Sequence, residues 1–152
     1  MKERIYEREE EGGTRRACFF IEKKIYLQCE SESYRIANNL QKLNTMKNDF
    51  NEVNFPDFTI NRSGKILIIK SQFIKGYQLL GGSHTKRYHR SYIDIIKRDL
   101  VERDDEFSVT DYNPANFIIE HGTGNLYYVD LEGIAHSDPI TRMKKFYERF
   151  LL

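Results

Sequence analysis

The chain of 152 residues carries 24 basic and 23 acidic side chains, a formal charge of +1. That is enough for one domain with a real core, and the even charge balance argues against nucleic acid or an anionic membrane as partner. No apolar run is long enough to span a membrane, the opening MKERIYEREEE has no signal character, and two cysteines without an export signal point to a reducing cytoplasm.

In chain order, residues 5–11, 14–21 and 25–29 read as three successive strands, turned at Gly12-Gly13 and at Glu22-Lys23-Lys24. A two-residue turn at Lys23-Lys24 would set Cys18 opposite Cys29, as two small thiols more readily than as a disulfide in that compartment. A helix is predicted over 33–44, with Ile36, Leu40 and Leu43 on one face. Two further strands, 55–60 and 65–71, are turned by Arg62-Ser63-Gly64 and lead into Gln72-Phe73-Ile74-Lys75-Gly76. Gly81 to His84 reads as a mobile connector. The next helix, 91–103, repeats Tyr92, Ile95, Ile96, Leu100 and Val101 at helical spacing and should pack under the ribbon formed by residues 117–129. The basic cluster at 85–90 reads as a solvated helix start, or as a surface for an anionic partner. The four histidines show no zinc-ligand spacing.

Residues 111–133, DYNPANFIIEHGTGNLYYVDLEG, organise the rest. Phe117 to Ile119 and Leu126 to Val129 read as two strands of a hairpin turned at Gly122 and Gly124. Folding that ribbon back sets Asp130 beside the loop carrying Asp111 and Asn116. Three oxygen-bearing side chains would then meet at one end of a hairpin, as a hard divalent cation and a phosphate require. A hairpin merely bordered by turn-forming Asp, Asn and Pro residues is the plainer alternative. A last helix starts at Ser137-Asp138-Pro139 and shows an apolar face of Met143, Phe146, Tyr147, Phe150 and Leu151.

The order Asp111, Asn116, hairpin, Asp130-Leu131-Glu132-Gly133 resembles the catalytic core of the protein-kinase-like superfamily. The resemblance implies that Asp111 is the catalytic base, that Asn116 and Asp130 are Mg²⁺ ligands, and that ATP is the phosphoryl donor. It further implies phosphate contacts from the Gly12-Gly13 turn and adenine partners at the Gln72 carbonyl and the Ile74 N–H. Gln28 stands where the family carries its phosphate-binding lysine, and Ile36 where it carries the partner glutamate. Asn113 and Asp130-Leu131-Glu132 look more like the aminoglycoside, choline and lipopolysaccharide-sugar kinase branches than like protein kinases. Val109 and Thr110 replace the usual residues that brace the catalytic loop.

The expected architecture is α+β in a single kinase-like domain. Residues 1–76 would form a small lobe, an antiparallel sheet with one helix, plus the hinge; residues 77–152 would form a truncated helical large lobe carrying the catalytic hairpin. With 19 residues after Gly133, either the fold is minimal or a second copy covers the base of that lobe in a homodimer. The function implied is γ-phosphoryl transfer to a hydroxyl acceptor. The alternative is a pseudokinase that senses nucleotide or binds a partner without transfer.

Overall fold

The computed structural model describes residues 3–11, 19–27, 30–63, 66–79 and 86–150. In chain order its elements are strands β1 (Glu3–Glu11) and β2 (Phe19–Leu27), helix α1 (Glu30–Met46), strands β3 (Val53–Asn54), β4 (Phe58–Ser63), β5 (Ile66–Gln72) and β6 (Gly76–Gln78), helix α2 (Lys86–Ile96), strands β7 (Phe107–Val109), β8 (Phe117–Glu120), β9 (Leu126–Tyr128) and β10 (Ile134–His136), and helix α3 (Pro139–Arg149). The class is α+β, as expected. Two compact units divide the chain: residues 1–42 with 56–73, and residues 43–55 with 74–152. No helix among the described residues is long and apolar enough to cross a membrane.

The first unit holds an antiparallel sheet in the order β1-β2-β5-β4. Among the described residues, the three strands expected before α1 are two. Glu22, Lys23 and Lys24 lie inside β2, in register with Arg8, Glu7 and Tyr6 on one side and with Ser71, Lys70 and Ile69 on the other. That triplet has no Gly, Asn or Pro to supply turn dihedrals, so the chain stays extended and the proposed facing of Cys18 and Cys29 across a turn there falls away. Both cysteines, the Gly12-Gly13 turn, Gln28 and the 81–84 connector lie outside the described residues. On β5 the period-two pattern is plain: Leu67, Ile69 and Ser71 are buried and Ile66 and Lys70 exposed. β4 starts at Phe58, after Pro56, and includes Arg62 and Ser63, which pair with Leu67 and Ile66.

Helix α1 is longer than the 33–44 expected, but its apolar face is the expected one: Ser33, Ile36, Ala37, Leu40, Leu43 and Met46 are buried. Its last turn, from Leu43, belongs to the second unit.

In the second unit a sheet runs in the order β3-β9-β8-β6, with β3 parallel to β9, and β7 pairs with β10. Helix α2 is described from Lys86, so residues 86–90 of the basic cluster are helical, and it continues through a wider π turn at Lys97–Val101. That turn widens the helix by one residue and puts Asp99, Leu100 and Val101 inside together. The buried Asp99 carboxylate accepts from the backbone N–H groups of Glu52 (2.5 Å) and Val53 (2.8 Å), which fixes the start of β3 to the helix. Asp99→Ala leaves those donors without their acceptor. The expected loss is about 2–3 kcal/mol in urea unfolding; an unchanged midpoint would show that water replaces the carboxylate.

The N-terminus of α3 is capped by Asp138, which accepts from Thr141 N–H (2.9 Å) and Oγ1 (2.7 Å), with Pro139 in the first turn. Those bonds hold the Asp138 carboxyl below its ordinary range. Arg142, one turn in, is fully buried. Its guanidinium donates to the carbonyls of Asp105 (2.7 Å) and Arg103 (2.8 Å), tying α3 to the segment that feeds β7. A run of ring contacts crosses this unit, from Phe50 to Phe55 (4.8 Å between centroids), Tyr128 (6.3 Å) and Phe117 (5.1 Å), then to Phe150 (6.2 Å), Phe146 (5.4 Å) and Tyr112 (6.2 Å). Most are edge-on, each contributing about 0.5–1.5 kcal/mol beyond burial. The run passes under Asp111, because both Tyr112 and Tyr128 belong to it.

Candidate functional site

The site is built by the β8–β9 hairpin and the two turns at its open end. Asn113 begins the first turn: its side-chain oxygen accepts from Ala115 N–H (3.0 Å), and its carbonyl from Asn116 N–H (2.9 Å). Pro114 suits the first position of that turn, where no N–H is needed. The strands then pair Phe117 with Tyr128 and Ile119 with Leu126. At the far end Gly122 and Gly124 take φ of 85° and 71°, backbone angles that glycine adopts without strain. At the open end Val129 N–H donates to Asn116 C=O (3.0 Å), so the next residue, Asp130, arrives beside Asn116. Asn116 Nδ2 lies 3.5 Å from Asp130 Oδ2, a long hydrogen bond that leaves the pair loosely joined.

Asp111 is held from below. The Tyr128 hydroxyl donates to its carbonyl (3.1 Å), and its own Oδ1 accepts from Asn113 N–H (3.0 Å). The carboxylate is exposed. Tyr128 is fully buried, and burial pushes its phenol well above the usual tyrosine range; the Asp130 and Asp111 carboxylates push it further, while a hydrogen bond with the Asn116 amide acts the other way. The hydroxyl therefore stays protonated throughout the physiological range, a permanent donor among the three candidate side chains.

Val109 and Thr110 brace the loop in their own way. Val109 pairs with Ile134 across β7–β10, and Thr110 donates to the Gly133 carbonyl through both its N–H (2.7 Å) and its Oγ1 (2.8 Å). Gly133 N–H in turn donates to Asp130 C=O (2.9 Å). The Asp111 loop and the Asp130 turn are thus joined by two routes, one through Thr110 and Gly133, the other through Tyr128.

Gly133 has no room for a side chain. A Cβ there would run into the Tyr128 hydroxyl and fall 3.2 Å from Asp130 Oδ2. The phenol sits on a packed ring and cannot swing aside. Gly133→Ala is expected to cost about 1–3 kcal/mol in thermal or urea unfolding. Tyr128→Phe in the same chain, by deleting the obstructing oxygen, should restore part of that. No recovery in the double variant would place the strain elsewhere.

Gln72 ends β5, where its N–H donates to Asp57 C=O (2.8 Å) and its side chain accepts from Asp57 N–H (3.4 Å). Ile74 is buried in the second unit; the division between units falls just before it. Ile36 is buried on α1. Gly12, Gly13 and Gln28 are not among the described residues.

Beside Asp111 opens a depression of about 380 Å³, lined by Thr110, Asp111, Tyr112, Lys145, Glu148 and Arg149. Lys145 Nζ reaches the Thr110 carbonyl (3.4 Å). Sequence reasoning missed Tyr128, the two bonds from Thr110 to the Gly133 carbonyl, and these helix cations. Tyr128 carried a signal, since it follows Leu126 at strand period on the inward face. Lys145 and Arg149 carried another, four apart and so on one side of α3.

Among the described residues no three His, Cys, Asp or Glu side chains form a metal cage. Mg²⁺ does not need one: it keeps several waters and takes one or two protein oxygens besides substrate phosphates. An amide and a carboxylate in contact at a half-buried edge fit that demand. Turned about its last bond, the Asn116 amide offers its oxygen where its nitrogen now meets Asp130.

No protein-family model and no curated protein matches the chain. Among solved structures it is similar to the GDP and kanamycin complex of APH(2")-IIia. The match has 13% identity over 94% of this chain and 72% of the other, with a TM-score of 0.48.

Proposed function

We propose that the chain is a kinase-like phosphotransferase that moves the γ-phosphoryl group of ATP to a hydroxyl acceptor. The observation that carries this reading is the meeting of Asn116 with Asp130 at the end of the hairpin, with Asp111 tied to the same buried Tyr128. In this reading Asn116 and Asp130 hold Mg²⁺, which neutralises charge on the triphosphate when bound. Asp111, exposed and steered by the Asn113 N–H, orients the acceptor hydroxyl and takes its proton. The hydroxyl oxygen bonds to the γ-phosphorus as the bond to the β–γ bridging oxygen breaks, and that electron pair leaves with ADP. The Gln72 carbonyl and Ile74 N–H are the proposed adenine partners, and Gly12 and Gly13 the proposed phosphate contacts. A cytoplasmic setting goes with this reading.

The buried Ile36 favours a second reading, a module that holds nucleotide without transfer. A thermal-shift titration with ATP, with and without Mg²⁺, followed by an ADP-release assay separates the two. Transfer predicts Mg²⁺-dependent stabilisation and ADP release. Stabilisation alone supports the second reading, and no response to nucleotide excludes both.

A further inference from the structure

We propose that the depression beside Asp111 is the acceptor subsite and that it takes a small polyhydroxylated anion, of the sugar-phosphate or sugar-acid class. The inference rests on the phosphotransferase reading for the role of Asp111, and on the lining of the depression for the chemistry. Asp111 stands at one side, exposed, where a hydroxyl must be delivered. Lys145 and Arg149 line the depression from one side of α3, being four residues apart. Lys145 is already drawn toward the loop by its contact with the Thr110 carbonyl. Two cations lining one depression provide a fork and a point charge for a phosphate or carboxylate.

Glu148 lines the same depression between them. Its carboxylate oxygens suit the further hydroxyls of a sugar and disfavour a second anionic group. The lining thus calls for one anionic end and a hydroxyl-rich body. An amino sugar would bring its own cation against Lys145 and Arg149. A depression of about 380 Å³ is at the small end of ligand sites, which start at about 300 Å³, so a monosaccharide fits better than an oligosaccharide.

The test is direct binding to the full chain without nucleotide, read by isothermal calorimetry. The probes are glucose 6-phosphate and gluconate, with glucose and glucosamine as matched neutral and cationic controls. At least one anionic probe should bind, and about tenfold or more tighter than either control, the scale of one charge-assisted hydrogen bond. Lys145→Ala and Arg149→Ala should each weaken that binding by about the same factor. Lys144→Ala, on the neighbouring side of α3, should leave it unchanged. All of these residues are exposed, and thermal melting confirms that each variant is folded. Equal binding of all four probes, no binding of either anion at millimolar concentration, or full affinity in the Lys145→Ala/Arg149→Ala double variant overturns the proposal. Because no nucleotide is present, these results stand whatever the fate of the phosphotransferase reading, which ADP release tests separately.

Discussion

Asp130→Ala is expected to abolish Mg²⁺-dependent binding of ATP. Residues that merely support metal ligands commonly contribute about 10–100-fold in affinity, so loss of the carboxylate ligand itself should exceed that. The neighbouring Asn116 amide, left with no carboxylate partner, cannot hold the ion alone, because an amide oxygen brings no charge. The fold should survive, since Asp130 is only half-buried and the turn it begins is held by the backbone bond from Gly133 to its carbonyl. Calorimetric titration with ATP, with and without Mg²⁺, checks this. An affinity equal to that of the unmodified chain would remove the metal role from Asp130.

Asp111→Asn should keep nucleotide binding and lose turnover by about 10²–10⁴-fold, the usual contribution of a positioned general base. The substitution preserves shape: an amide oxygen can still accept from Asn113 N–H, and the Tyr128 hydroxyl bonds to the backbone carbonyl, which the change does not touch. What is lost is the ability to take a proton. ADP release under saturating ATP and Mg²⁺ reads the effect, and turnover at the unmodified rate would require another base.

The hairpin and the meeting of Asn116 with Asp130 at its open end were legible because they depend on local rules. Two apolar strands, glycines where φ must be positive, and a fixed count of residues between Asn116 and Asp130 leave one way to pair. Helices α1 and α3 were legible for a similar reason, their apolar positions recurring at helical spacing. Strand β2 was not: a charged Glu-Lys-Lys triplet looks like a turn in isolation, and only its register with β1 and β5 shows why it stays extended. The π turn in 97–101 was equally hidden, because it adds one residue to the helix without any residue type demanding it, and so buries Asp99 beside Leu100 and Val101. Tyr128, Thr110 and Arg142 owe their roles to backbone carbonyls far along the chain. No pattern within a strand or a helix announces such partners.

The central claim is that Asn116 and Asp130 together bind the nucleotide's metal ion. Mn²⁺, which takes the same oxygen ligands as Mg²⁺, is paramagnetic and broadens nearby amide resonances. Titrated into the isotopically labelled protein with ATP present, it should erase first the signals of Asn116, Asp130 and their immediate neighbours. Broadening centred elsewhere, with Asn116 and Asp130 sharp, would contradict the account.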